Sequence, residues 1–187
     1  MDTIKTLVVH PQDVSTDFLK PIYEGISNKT VITKGNKLKV MDLIEAHDRI
    51  LMMGHGSPGG LFAMPSFISG SVYIIDDSIA PLLETKTSVF IWCNADQFVE
   101  RNKLKGFYSG MFVSEVGEAI FCGLGTARDS VNLKKLVKES NDCFSNMLSQ
   151  SIDETVDEMH DNIIEQYGTI AQKNQVAQYN LDRLYTK

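Results

Sequence analysis

The chain has little cysteine, little tryptophan, few cations and no long hydrophobic run, and each scarcity removes a class of protein. Of its 187 residues, three are cysteine and one is tryptophan. Cys93, Cys122 and Cys143 are odd in number and contain no C-x-x-C pair, so neither a disulfide framework nor a cysteine-rich zinc site is expected. No stretch approaches the roughly 20 apolar residues of a membrane span, and no membrane partner is expected. At the amino end the apolar run is too short for a secretory signal, and Asp2 stands where such a signal is basic. The cytoplasm is the expected location. Lys and Arg number 18 against 24 Asp and Glu, giving a net charge of −6 with no long basic run. Nucleic acid is therefore not an expected partner, because binding it takes clusters of phosphate-neutralising cations.

What is present fits one globular domain. A hydrophobic share of 43% and a charged share of 22% are ordinary, and the length suffices to bury a core without staples, so residues 1–187 are expected to form a single domain. Strand and helix signals alternate through the first two thirds. Residues 4–9 read as a strand ended by His10-Pro11. Residues 14–26 carry Val14, Phe18, Leu19, Ile22 and Ile26 at helical spacing, with Pro21 as a break. Residues 30–33 read as a strand, 40–47 as a helix and 50–54 as a third strand. This βαβαβ order predicts a parallel sheet with helices on both faces. Residues 71–77 read as a hairpin or edge strand, 78–84 as a helix capped by Asp77 or Ser78, and 88–92 as a fourth strand. A helical piece runs on to Leu104, and 111–121 has helical spacing, weakened by Gly117. From Ser130 the period is helical throughout, so 130–187 is expected to be mainly helical and packed on the sheet. Its acidic run, 153–161, reads as a solvated helix face. The expected fold class is α/β: a three-layer αβα sandwich with a mostly parallel central sheet.

One stretch organises the rest. Ile50-Leu51-Met52-Met53 stops abruptly at Gly54-His55-Gly56-Ser57-Pro58-Gly59-Gly60, an apolar run that ends on a histidine inside a glycine-rich turn. Val89-Phe90-Ile91-Trp92 has the same form and ends on Cys93. If these are neighbouring parallel strands, His55 and Cys93 emerge side by side at their carboxyl ends, where open α/β sheets keep their sites. A thiol must lose its proton to attack, and an imidazole is a suitable acceptor at neutral pH. The Gly56 N–H, with that of Cys93, is a candidate oxyanion donor. Asp96 and Ser57 are candidate substrate-binding positions, although helix capping is the simpler reading of Asp96. Ser57 is a poor nucleophile candidate, because G-x-S-x-G fails at His55, and the glycine loop lacks the lysine of a P-loop. No cofactor or metal is implied. Cys122 and Cys143 read as core, and His10, His47 and His160 have no nucleophile nearby in sequence.

The strand-His55-Gly56 motif, followed 38 residues later by strand-Cys93, resembles the caspase-like (clan CD) cysteine peptidases, among them caspases, gingipains, clostripain and separase. The resemblance spans about residues 4–125. It implies an αβα sandwich and hydrolysis of a peptide bond in a peptide or protein substrate, with Cys93 as nucleophile, His55 as general base or acid, and the Gly56 N–H as oxyanion donor. The chain departs from caspases in lacking Gln-Ala before the cysteine. It departs from the clostripain group in having Ile91 where that group carries an acid two before the cysteine. Two other readings stay open. One is a catalytically silent caspase-like binding module. The other is a tetrapyrrole metal chelatase, whose strand-His-Gly-Ser resembles Gly54-His55-Gly56-Ser57, although that motif belongs on the first strand of such proteins.

Overall fold

Apolar residues in unbroken rows suit strands covered on both faces, and three such rows, 7–9, 50–53 and 89–92, build the middle of one sheet. A computed structural model describes residues 4–64, 67–68 and 70–187; Asp2 of the amino end lies outside the described residues. In chain order the strands are β1 (Thr6–Val9), β2 (Lys29–Ile32), β3 (Gly35–Asn36), β4 (Arg49–Met53), β5 (Gly56–Ser57), β6 (Gly60–Phe62), β7 (Phe67–Ile68), β8 (Tyr73–Ile75), β9 (Thr87–Ile91), β10 (Phe107–Ser109) and β11 (Leu184–Thr186). The main sheet has the order β11-β10-β9-β4-β1-β2, parallel throughout except for β11 at one edge. Strands β5, β6 and β8 form a small antiparallel sheet beyond the end of β4, and β3 pairs with β7.

The helices are α1 (Pro21–Glu24), entered through a 3₁₀ turn over Val14–Leu19, then α2 (Lys37–Glu45), α3 (Ala80–Leu83), α4 (Ala95–Arg101), α5 (Val116–Phe121), α6 (Ser130–Ser151), α7 (Val156–Ala171) and α8 (Gln175–Leu181). Strand side chains alternate between the faces, and the core divides accordingly. Leu7, Val9, Ile50, Met52, Phe90 and Trp92 pack with Val40 and Ile44 of α2, Leu83 of α3 and Phe98 of α4. Val8, Leu51, Met53, Val89 and Ile91 pack with Ile22 of α1, Phe144 and Leu148 of α6, and Ile163 of α7. The fold is thus a three-layer α/β sandwich with a mostly parallel central sheet and a carboxyl-terminal helical bundle, α6 to α8. No helix among the described residues is long and apolar enough to cross a membrane.

Three local readings change. Residues 111–115 are not helical, and α5 begins only at Val116. The main chain of this segment is bonded elsewhere: Val113 N–H donates to Asn180 Oδ1 at 2.7 Å, and Val113 C=O accepts from Asn180 Nδ2 at 2.9 Å. Strands β10 and β11 are three residues each, too short for a period to register, and β11 exists by pairing with β10. The turn before α3 is held by Asp76, whose Oδ1 accepts from Ser78 N–H and Oγ–H, while Asp77 pairs with Arg101. The carboxylates of the acidic run 153–161 are solvent-exposed, as expected, and among them Glu158 closes a capping box with Thr155 at the start of α7. Asp153 meets the buried guanidinium of Arg49 at 2.8 Å, and that guanidinium also donates to Thr6 Oγ1 and to the Ile152 carbonyl. These bonds tie the amino ends of β1 and β4 to the α6–α7 junction.

His10 closes β1 as a buried neutral imidazole, with Nδ1 against Tyr23 Oη and Nε2 against Thr16 Oγ1, both at 3.0 Å. Burial, then the nearby Lys20, lowers its pKa to about 4. A lowered folded-state value means the unfolded chain binds the proton more readily. The stability carried by neutral His10 is therefore complete above about pH 6.5 and is lost as pH falls toward 4, by on the order of 3 kcal/mol. Urea melts of the wild type should lose stability across that window, and His10→Gln should flatten the loss.

Candidate active site

The ladder between β4 and β9 fixes the site. Arg49 pairs with Thr87 and each later residue follows in step to Met53 with Ile91, an offset of 38 residues. The Gly54 N–H extends the ladder by donating to Ile91 C=O at 3.0 Å. The offset that pairs the strands is also the one that separates His55 from Cys93. Both residues therefore leave the sheet at one level, and both line one cleft with Thr16, Phe18, Phe112 and Ser114. The cleft is small, about 20 Å³, room for a single water. The Phe18 ring stacks on that of Phe112, centroids 6.2 Å apart and planes within 8°.

Within the cleft the two side chains face different partners, and no hydrogen bond joins them among the described residues. His55 Nε2 lies 2.6 Å from Ser15 Oγ. Ser15 in turn donates through Oγ–H and N–H to Asp13 Oδ1, at 2.6 and 2.8 Å. These bonds hold the Asp13 carboxyl below its usual range. Asp13 is the N-cap of the 3₁₀ turn, with extended backbone. Cys93 Sγ donates to Phe112 C=O at 3.4 Å and lies 3.9 Å from Glu118 Oε1. Burial first, and the Glu118 charge second, push the thiol up to about 12. Glu118 is itself held: its Oε2 accepts from Ser114 N–H, Ser114 Oγ–H and Glu115 N–H.

The remaining candidates do not line the cleft. Gly56 lies beneath the Trp92 indole, where a Cβ would come within 2.3 Å of Cδ1. Only glycine lets the β5–β6 hairpin close on Trp92, whose Nε1–H donates to Ser57 C=O at 3.1 Å. Phe62 N–H donates to His55 C=O at 2.9 Å, so residues 55 and 62 form a bonded pair of that hairpin. By antiparallel alternation the Gly56 N–H points away from β6. Ser57 Oγ is occupied by Tyr73 Oη at 2.8 Å and by the Gly59 N–H. Asp96 is in the first turn of α4, where the N-cap is Asn94 with a left-handed φ of 63°. Burial raises the Asp96 carboxyl, and its Oδ1 has no hydrogen-bond partner.

Asp13, Ser15 and Glu118 have no place in the sequence reading. Asp13-Val14-Ser15 is legible as a local cap and Glu115-x-x-Glu118 as a capping box, but neither spacing tells what lies across the cleft. Among the described residues no group of three or more His, Cys, Asp or Glu is disposed to hold a metal ion. No family model matches the chain, and no curated protein matches its sequence.

The Cys93 environment predicts an unreactive resting thiol. Iodoacetamide alkylation of Cys93, followed by peptide mass spectrometry, should stay slow through neutral pH and accelerate only toward pH 12. Glu118→Gln keeps an acceptor for the cap and removes the charge, so it should raise the neutral-pH rate by on the order of tenfold.

Proposed function

We propose that the chain is a caspase-like cysteine peptidase, with Cys93 as nucleophile and His55 as the base that receives its proton. The observation that carries this reading is the in-step β4/β9 ladder, which brings both side chains to one cleft at the carboxyl ends of the two central parallel strands. With its pKa near 12, the thiol does not ionise beforehand, so proton transfer accompanies attack. The Cys93 S–C bond forms to the scissile carbonyl carbon as the sulfur's proton passes to His55 and the C=O π pair moves onto oxygen. The Gly56 N–H, which follows the cleft-lining His55 by one peptide bond and is directed away from β6, is the proposed donor to an oxygen at the cleft mouth. His55 then protonates the departing amine as the C–N bond breaks. Water attacks the resulting thioester, giving one proton to His55, which returns it to sulfur as the carboxylic acid leaves. A reducing compartment, the cytoplasm, suits a chain whose three cysteines are all free.

The closed cleft and the raised thiol favour a second reading, a caspase-like module that binds without cleaving. The two are separated by a panel of peptidyl acyloxymethyl ketones differing at the residue before the reactive group. A peptidase should be labelled at Cys93 by one member of the panel far faster than at Cys122 or Cys143. His55→Ala should slow that labelling by about 100-fold or more, the usual worth of a general base. Labelling of Cys93 no faster than of the other two cysteines would favour the binding module.

A further inference from the structure

The three atoms on the far side of His55 carry more than a packing contact. Asp13 Oδ1 accepts both the N–H and the Oγ–H of Ser15. A serine hydroxyl has one proton, and here it is committed to the carboxylate. Toward His55, 2.6 Å away, Ser15 Oγ can therefore only accept. The proton between them belongs to Nε2, and Nδ1 is left as the ring nitrogen with the free lone pair.

We propose that Asp13 and Ser15 form a relay that fixes His55 in its Nε2–H tautomer and makes Nδ1 the atom that takes the Cys93 proton. The inference rests on the peptidase reading for the role of Nδ1, and on the hydrogen-bond chain alone for the tautomer. Both are positioning residues: neither meets the thiol, and Ser15 acts only through the imidazole. The arrangement suits proton uptake. When Nδ1 gains a proton the ring becomes cationic, and the Asp13 carboxylate, one hydroxyl away, stabilises that charge. The geometry is also economical, because one short segment entering the 3₁₀ turn supplies its own cap and the support for a histidine 40 residues away.

The test has two independent readouts on the full chain. Long-range proton–nitrogen NMR of ¹⁵N-labelled protein in mildly alkaline buffer, with His55 assigned by comparison with His55→Gln, reports which ring nitrogen carries hydrogen. The expected result is a protonated Nε2 with a slowly exchanging N–H signal. That signal should vanish in Ser15→Ala and return in Ser15→Thr, which restores the hydroxyl. In parallel, the rate of Cys93 labelling by the best peptidyl ketone should fall at least about tenfold in Ser15→Ala, fall in Asp13→Asn, and recover in Ser15→Thr. A wild-type His55 protonated on Nδ1, or an Nε2–H signal unaffected by Ser15→Ala, overturns the relay. If the NMR signature follows Ser15 as expected while no probe labels Cys93 in the wild type, the tautomer assignment stands and the peptidase reading, with the role given to Nδ1, falls.

Discussion

The pairing of β4 with β9 is the constraint on which the rest depends. Two five-residue strands, one running from Arg49 to Met53 and the other from Thr87 to Ile91, lie parallel and in step at the centre of the sheet. Their apolar side chains divide between the two helical layers, so a slip of one residue would turn Met52 and Phe90 away from α4 and Met53 and Ile91 away from α6 and α7. Burial on both faces thus locks the register, and the register locks the level at which the chain leaves the sheet. The strands end where glycine begins on one side and where Cys93 meets the left-handed Asn94 on the other. The positions of His55 and Cys93 follow from core packing.

Packing also explains which parts of the molecule were legible in the sequence. Rows such as Ile50 to Met53 and Val89 to Trp92 advertise doubly covered strands, and the 38-residue offset between them can be read directly. The helical period from Leu133 to Leu148 is equally plain, because α6 presents one face to the sheet. Residues 111–115 misled because Met111, Phe112 and Val116 happen to fall at helical spacing. Phe112 and Val113 are buried in different clusters, and the Asn180 amide replaces the helical bonds of the Val113 peptide groups. That substitution depends on α8, 67 residues further on, and no local pattern announces it.

The site divides in the same way. His55 and Cys93 are legible because a reactive residue at the end of an apolar row, beside glycine or before a turn, is a local pattern. Asp13, Ser15 and Glu118 are not, because each first serves a local purpose, capping the 3₁₀ turn or boxing the start of α5. Such a residue satisfies every sequence-level expectation for a cap, and only the fold turns its second face toward the cleft. Gly56 is intermediate. Its place in a turn is obvious, but the reason that no side chain fits there is the indole of Trp92, 36 positions later.

The two walls of the cleft hold their side chains by separate hydrogen-bond sets. On the β4 side, Ser15 Oγ faces the imidazole, and Asp13 Oδ1 accepts the Ser15 hydroxyl proton. On the β9 side, burial and Glu118 disfavour an anionic sulfur, and the Phe112 carbonyl gives the thiol proton a resting place. The resting form of Cys93 is therefore the thiol. The ring of the same Phe112, stacked on Phe18, forms part of the cleft wall. Phe112 thus serves twice: its ring lines the cleft, and its carbonyl holds the thiol proton. Because that carbonyl shares a planar peptide group with the Val113 N–H, which donates to Asn180 Oδ1, the acceptor on the β9 side is held in place from α8.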